Sequence, residues 1–351
     1  MPQPPRPGAR ELGLAPGRLA PGRTNSLVDV PGVRVGHTTV DDGDTLHTGV
    51  TAVVPDAVDR PGGRLPAGLF VGNGFGKLIG ATQLVELGEL ETPLLLTGTL
   101  SAFRAADALV THCIGMPGAE QVRTLNPVVG ETNDGHLSDV RARPVTEDHV
   151  LQALGAADDD PVAQGCVGAG TGTVALGFKG GIGSSSRVVE LPQHGSSTVG
   201  ALVQTNFSGT LRVLGVPVPA DGVLPAEPPR PEGNSCMIVV AVDAPLDARQ
   251  LGRMARRAVF ALGTVGSDFA QGSGDYAIAF TTRPEEHVDG WPFTDTLLDP
   301  LFRAALEAVE EAVLNSLFSA RTTRGVDGHV AHELPVEQVL QRCEWADVLR
   351  R

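Results

Sequence analysis

The dipeptide Asn234-Ser235 stands at an abrupt change of composition. Before it, residues 216–233 (VPVPADGVLPAEPPRPEG) hold six prolines in eighteen positions. Such a stretch forms neither a helix nor a central strand and reads as an exposed, stiff connector or a linker. After it, SCMIVVAV (235–242) is an almost unbroken apolar run, expected to be a buried strand. A hydroxyl residue that follows a small polar residue at such a boundary is placed for an N→O acyl shift. Its oxygen attacks the preceding carbonyl, the amide becomes an ester, and water splits the ester. The α-amine released has an unperturbed pKa of about 7.7–8 and can act as general base for its own hydroxyl. By position alone, Ser235 also fits a plain strand-initiating serine.

More familiar signatures are missing. GNGFGKL lacks the spacing and the Ser/Thr of a phosphate loop, and GAGTGT is one residue off GxGxxG. These glycine clusters read first as backbone turns. No GxSxG elbow occurs. The four cysteines (Cys113, Cys166, Cys236, Cys343) form no CxxC and suit buried thiols in a reducing compartment. No HExxH occurs among the nine histidines.

The elements that must position any such chemistry are strands, turns and a few helices. The chain has 351 residues, 41% of them hydrophobic, with 44 glycines and 4% aromatics, a composition suited to close-packed strands and tight turns. SLVDVPGVRVGHTT, GVTAVVP, GLFVGNGFGKLIG, PLLLTGT and DYAIAFTT read as strands; ATQLVELGEL (81–90) and SAFRAADALVTHC (101–113) read as helices. Leu251, Met254, Ala258 and Leu262 share one helix face, with Gly263 as its expected C-cap. Leu306, Val309, Val313 and Leu317 mark a second, longer helix. GAADDDPVAQG (155–165) reads as a surface turn. The βαβα order predicts an α/β layered fold, and no internal repeat is evident.

Residues 1–23 are Pro- and Arg-rich without an apolar core and are expected to be a disordered tail, neither a secretory signal nor a transit peptide. No apolar run of eighteen residues predicts a membrane span. The net charge of −14 argues against nucleic acid and anionic membrane surfaces as partners.

A resemblance gives these fragments a direction. TNSLVDVPGVRVGH, GVTAVV, NPVVGETNDG, GAGTGTVALGFKGGIGSSSRV, TVGALVQTNFSG, NSCMIVV, GSGDYAIAF and EEAVLNSLFSA, in this order, make the chain similar to the DmpA and BapA family. These are L-aminopeptidase D-esterase/amidases and β-peptidyl aminopeptidases. The resemblance runs over most of the chain outside its tails. It implies a four-layer αββα sandwich, related to that of the ornithine acetyltransferases and built from a single domain (24–351). Self-cleavage between Asn234 and Ser235 would divide it into an α chain (1–234) and a β chain (235–351). It further implies a cytoplasmic serine aminopeptidase for short peptides, amides or esters, a homo-oligomer, often tetrameric, and no metal or organic cofactor.

Residue by residue, Ser235 matches the nucleophile, Asn206 the oxyanion-stabilising amide, and Ser273 and Asp275 the hydroxyl and carboxylate that complete the polar network. Their spacing of two on a strand turns Ser273 and Asp275 to one face, so both are expected to reach the Ser235 hydroxyl. Glu131 matches the carboxylate that binds the substrate amine, with Asn133 beside it. His136 stands where the family carries an aromatic residue, often Tyr. Two alternatives remain at this point. An ornithine acetyltransferase-like enzyme would carry an ATML-type sequence, which is absent. An uncleaved protein binding an amine ligand would need no nucleophile.

Overall fold

The computed structural model describes residues 6–221, 223–224, 235–284 and 293–349. Two sheets lie face to face. The first contains β1 (Val33–Asp41), β2 (His47–Pro55), β4 (Leu78–Ile79), β6 (Leu94–Gly98) and β7 (Val128–Thr132), in the order β1-β2-β6-β7-β4. The second contains β3 (Leu65–Gly74), β5 (Glu89–Leu90), β10 (Ile182–Leu191), β11 (Gly195–Asn206), β14 (Ser235–Val242) and β15 (Gly274–Thr281), in the order β10-β11-β14-β15-β3-β5. Three short ladders, β8 (Val174–Ala175) with β9 (Phe178–Lys179), β12 (Arg212–Val213) with β13 (Val216–Pro217) and β16 (Thr323–Arg324) with β17 (Val330–Ala331), stand apart from both. The helices α2 (Ala102–Gly115) and α3 (Glu147–Gly155) cover the first sheet; α4 (Ala248–Thr264) and α5 (Leu298–Phe318) cover the second. The layers are therefore αββα, as the resemblance implied.

Alternation in β14 shows how one strand serves two cores. Met237, Val239 and Ala241 enter the layer between the sheets, with Val35, Val53, Leu96, Leu202 and Ile278. Cys236, Ile238, Val240 and Val242 enter the layer beneath α4 and α5. A central strand buried on both faces needs a continuous apolar run, which is what the sequence carries. α4 starts where Asp247 accepts a hydrogen bond from the Gln250 backbone at 2.6 Å and the Gln250 side chain returns one to the Asp247 N–H at 3.0 Å.

Several sequence expectations change. The helix expected over 81–90 is α1 (Ala81–Glu86) only: Gly88, at φ +66°, turns the chain so that Glu89–Leu90 pairs with β3. Gly263 lies inside α4 rather than capping it, and the left-handed glycine is Gly266, at φ +99°. Leu306 is only partly buried, whereas Glu307 and Glu311 on the same helix are buried.

The expected disordered tail is packed from Arg6 onward. Ala9 and Leu14 enter the core beneath α5, and Ala20 bridges to Val188 on the edge strand β10. The fully buried Arg187 contacts Glu311 at 2.6 Å, Glu307 at 3.3 Å and the Pro16 carbonyl at 3.1 Å. Arg10 reaches the same Glu311 at 2.6 Å. The polar, proline-rich composition conceals these anchors because their partners lie far along the chain, 171 residues away for Pro16 and 301 for Arg10.

Of the Pro-rich connector, Val216–Pro217 forms β13, while Gly222 and residues 225–234 lie outside the described residues. Asn234, one side of the expected cleavage point, is among them. No helix among the described residues is long and apolar enough to cross a membrane.

Candidate active site

Ser235 begins β14 at the centre of the second sheet. Asn206, the last residue of β11, is its direct antiparallel partner. Residues directly opposite in an antiparallel pair turn their side chains to the same face, here the face between the sheets. The Asn206 Oδ1 accepts from the Val174 N–H at 2.9 Å, and its Nδ2 donates to the Asn133 carbonyl at 2.9 Å. A primary amide carries two N–H bonds, so this contact engages one of them.

On its other side, Ser235 is in parallel register with Gly274, and Cys236 with Asp275. Alternation therefore sends Asp275 to the helix side with Cys236, away from the face of the Ser235 hydroxyl. Ser273 and Asp275 do meet: Ser273 Oγ donates to Asp275 Oδ1 at 2.9 Å. The register thus places the Asp275 carboxylate on the opposite face from the Ser235 hydroxyl. Asp275 lies beside the main chain at Cys236, because one strand step reverses the face. Burial pushes the Asp275 carboxyl up to about 6, against hydrogen bonds from Ser273 and the Cys236 backbone that pull it down. Its second oxygen, Oδ2, is buried without a hydrogen-bond partner.

Glu131, at the end of β7, comes from the first sheet and is 3% exposed. Its Oε1 accepts from the Lys77 N–H at 2.9 Å and contacts Lys77 Nζ at 3.2 Å, while Oε2 is buried and unpartnered. Lys77 Nζ is steadied by Thr99 Oγ1 at 2.8 Å.

Gly76 joins the two halves of the site. A Cβ there would stand 3.1 Å from Glu131 Oε1 and 3.7 Å from Ser235 Oγ, so carboxylate and hydroxyl flank one small space that only the missing side chain leaves open. Tyr276, the single tyrosine of the chain, donates from its hydroxyl to the Gly76 carbonyl at 3.2 Å. Sequence reading missed Gly76, Lys77 and Tyr276. GNGFGK reads as a turn, and nothing local in DYAIAF marks its tyrosine as facing that turn.

The loop after β7 carries the remaining candidates. Asn133 is exposed; its carbonyl holds Asn206 and its Oδ1 accepts from Gly135 N–H at 3.0 Å. The His136 ring stacks on His329, with centroids 4.4 Å apart, and the His136 carbonyl lies 2.9 Å from His329 Nδ1. Asp134, between them, was not anticipated: complete burial raises its carboxyl to about 6, opposed by a hydrogen bond from Thr48. Among the described residues, no group of three or more His, Cys, Asp or Glu side chains is placed to hold a metal ion.

A buried serine heading a central strand of an αββα sandwich is the architecture of the N-terminal-nucleophile hydrolases. The solved L-aminopeptidase D-Ala-esterase/amidase from Ochrobactrum anthropi, described as a variant of that fold and a prototype of the serine aminopeptidases, superposes with a TM-score of 0.88 at 33% identity, covering 98% of this chain and 100% of its own. A Burkholderia sp. β-aminopeptidase gives 0.85 at 38% identity, over 98% and 100%. In sequence, the β-peptidyl aminopeptidase BapA of Sphingosinicella xenopeptidilytica is 38% identical over 95% of this chain and 90% of its own length. The model of peptidase family S58 matches residues 25–331. The chain belongs to peptidase family S58, and it is a serine aminopeptidase of the N-terminal-nucleophile class.

Proposed function

We propose that this chain cuts itself between Asn234 and Ser235 and then removes N-terminal residues from short peptides, amides or esters that carry a free amine. The observation that carries the reading is the register of Asn206 opposite Ser235, with Glu131 facing the same hydroxyl across Gly76.

In the first step, Ser235 Oγ adds to the Asn234 carbonyl. The C–N bond breaks as the Ser235 nitrogen takes the hydroxyl proton, and water hydrolyses the resulting ester. Asn234 is left with a carboxylate and Ser235 with a free α-amine. In turnover, that amine takes the proton of Ser235 Oγ as the oxygen bonds to the substrate carbonyl. The second Nδ2–H of Asn206 stabilises the oxyanion, an effect worth about 3–4 kcal/mol. Collapse expels the leaving amine with the proton from the α-ammonium, and water repeats the sequence on the seryl ester.

The register of Asp275, with Ser273 hydrogen-bonded to it, suits this scheme. A pair beside the main chain at Ser235 addresses the α-amine, the base, while the hydroxyl on the opposite face is left to the substrate. The unpartnered Oε2 of Glu131 is a ready acceptor for the substrate ammonium, and the loop of Asn133 and His136 forms the adjoining wall. Protein groups and water complete every proton transfer. The active form is a cytoplasmic homo-oligomer of α/β pairs, read by light scattering.

Intact mass and N-terminal sequencing test the first step. The expected result is two fragments, the second starting at Ser235, and a single uncut chain for Ser235→Ala. An S235A chain that still cleaves there would overturn the assignment.

A further inference from the structure

Lys179 is fully buried. Its ammonium is held by main-chain carbonyls: Nζ donates to Gly180 O at 2.8 Å and to Gly170 O at 3.2 Å. Burial lowers its pKa, opposed by Cys166 beside it and by longer-range attraction to Asp41 and Asp134. Burying an ammonium is unfavourable unless hydrogen bonds replace its water, and methionine would fill similar space without that penalty. The charge therefore needs a reason beyond packing.

The reason is visible in what Lys179 ties together. It belongs to the ladder in which Val174 pairs with Lys179. Its two acceptors, Gly170 and Gly180, close the ends of the segment that forms this ladder. Within that segment, the Gly180 N–H donates to Thr173 O at 3.0 Å, and Thr173 Oγ1 donates to the same Gly170 carbonyl at 3.1 Å. The segment then delivers two backbone N–H groups to the end of β11: Val174 to Asn206 Oδ1 at 2.9 Å, and Leu176 to Phe207 O at 2.7 Å. An amide is planar, so fixing Oδ1 fixes where Nδ2 points. The free rotation that Asn206 would otherwise have at its terminal torsion is removed by a loop that Lys179 staples shut.

We propose that Lys179 is a positioning residue: by clamping Gly170 to Gly180 it sets the Val174 N–H that aims the Asn206 amide at the oxyanion beside Ser235. The inference rests on the reading of Asn206 as the oxyanion donor.

The test is a double-mutant cycle on the full chain, with kcat and KM for an amino-acid p-nitroanilide expressed per cleaved molecule. The variants are Lys179→Met, Asn206→Ala and the pair together. Lys179→Met should lower kcat about tenfold or more, with KM changed less than about threefold. In the Asn206→Ala background it should lower kcat no further, because the group it aims is gone. Lys179→Arg, which keeps the cation, should recover part of the loss. If Asn206→Ala alone leaves kcat unchanged, the oxyanion assignment fails and this inference falls with it. If Asn206→Ala lowers kcat and Lys179→Met multiplies that loss, or acts only on KM or melting temperature, Lys179 is a packing residue and the inference alone is overturned. Should Lys179→Met fail to fold, Thr173→Val, which removes a hydrogen bond from the same Gly170 carbonyl, carries the cycle with the same readings.

Discussion

Gly76→Ala separates the architecture of the site from its chemistry. The added Cβ would lie 3.1 Å from Glu131 Oε1, 3.7 Å from Ser235 Oγ and 3.7 Å from Gly274 Cα. None of these contacts is a hard clash, and Gly76 is not among the residues at positive φ. Replacing a glycine at an ordinary φ restricts the unfolded chain and favours folding by about 0.4–1 kcal/mol, which offsets the tight contact with Glu131. Stability should therefore stay within about 1 kcal/mol of the parent, and the melting temperature within about 4 °C. Activity should behave differently. The methyl group occupies the gap that a substrate must cross if its amine meets Glu131 while its carbonyl meets Ser235. It displaces the substrate by roughly an ångström, and misplacement on that scale costs about 100-fold in rate. The assay is kcat/KM on an amino-acid p-nitroanilide, per cleaved molecule counted on a denaturing gel, alongside a thermal melt. Activity within about threefold of the parent at an unchanged melting temperature would refute the reasoning, because the substrate would not then span that gap.

Three further variants carry expectations. Below pH 6 the Asp275 carboxyl, held at about 6, takes up a proton, so kcat/KM should fall on that limb. Asp275→Asn should abolish both the limb and most of the activity; the variant is needed because burial also raises the Asp134 carboxyl to about 6. A folded-state pKa above the unfolded 3.8 means that ionising Asp275 costs stability progressively as pH rises from about 4 to 6, so Asp275→Asn should gain in melting temperature over the parent between pH 5 and pH 8, and an equal gap at both would count against it. Glu131→Gln should erode the preference for free over N-acetylated substrates in kcat/KM while leaving self-cleavage intact; equal parental rates on the two substrates would rule out an aminopeptidase. Arg187→Met strands Glu307 and Glu311 in a buried site and should cost about 3–5 kcal/mol in urea unfolding, whereas a loss under about 1 kcal/mol would mean that the N-terminal segment is not anchored through this cluster.

What the sequence disclosed follows the range of the interactions concerned. β14 was legible because burial on both faces demands a continuous apolar run, and α4 because its apolar spacing is local. Gly88 and Gly266 were harder: which glycine takes the left-handed turn depends on where the next strand must go. Ser273 and Asp275 were rightly paired from a spacing of two, yet their relation to Ser235 depends on the register between β14 and β15, which no spacing within one segment encodes. Asn206 lies 29 residues before Ser235 in sequence and faces it only because β11 ends where β14 begins. The N-terminal segment was misread for the same reason, since its partners are on β10 and α5. Gly76 was invisible because its contribution is an absence, and an absence acquires meaning only when its neighbours are in place.

The order of strands in the second sheet has a consequence for how such a molecule can be made. β14 and β15 sit side by side in the middle, with β11 on one flank and β3 on the other. A cut before Ser235 would leave the inner pair in the C-terminal polypeptide and both flanks in the N-terminal one, whose first residues grip α5 through Arg10 on Glu311 and the Arg18 and Leu19 N–H groups on Glu307. Neither piece could then depart without dismantling the sheet. Supplying the pieces as separate gene products would be hazardous: the C-terminal third by itself would carry α4 and α5 on two parallel strands, β14 and β15, with both edges open, a template for aggregation. Translating both pieces as one chain would guarantee equal amounts of each and would have the interleaving complete before any cut at Ser235.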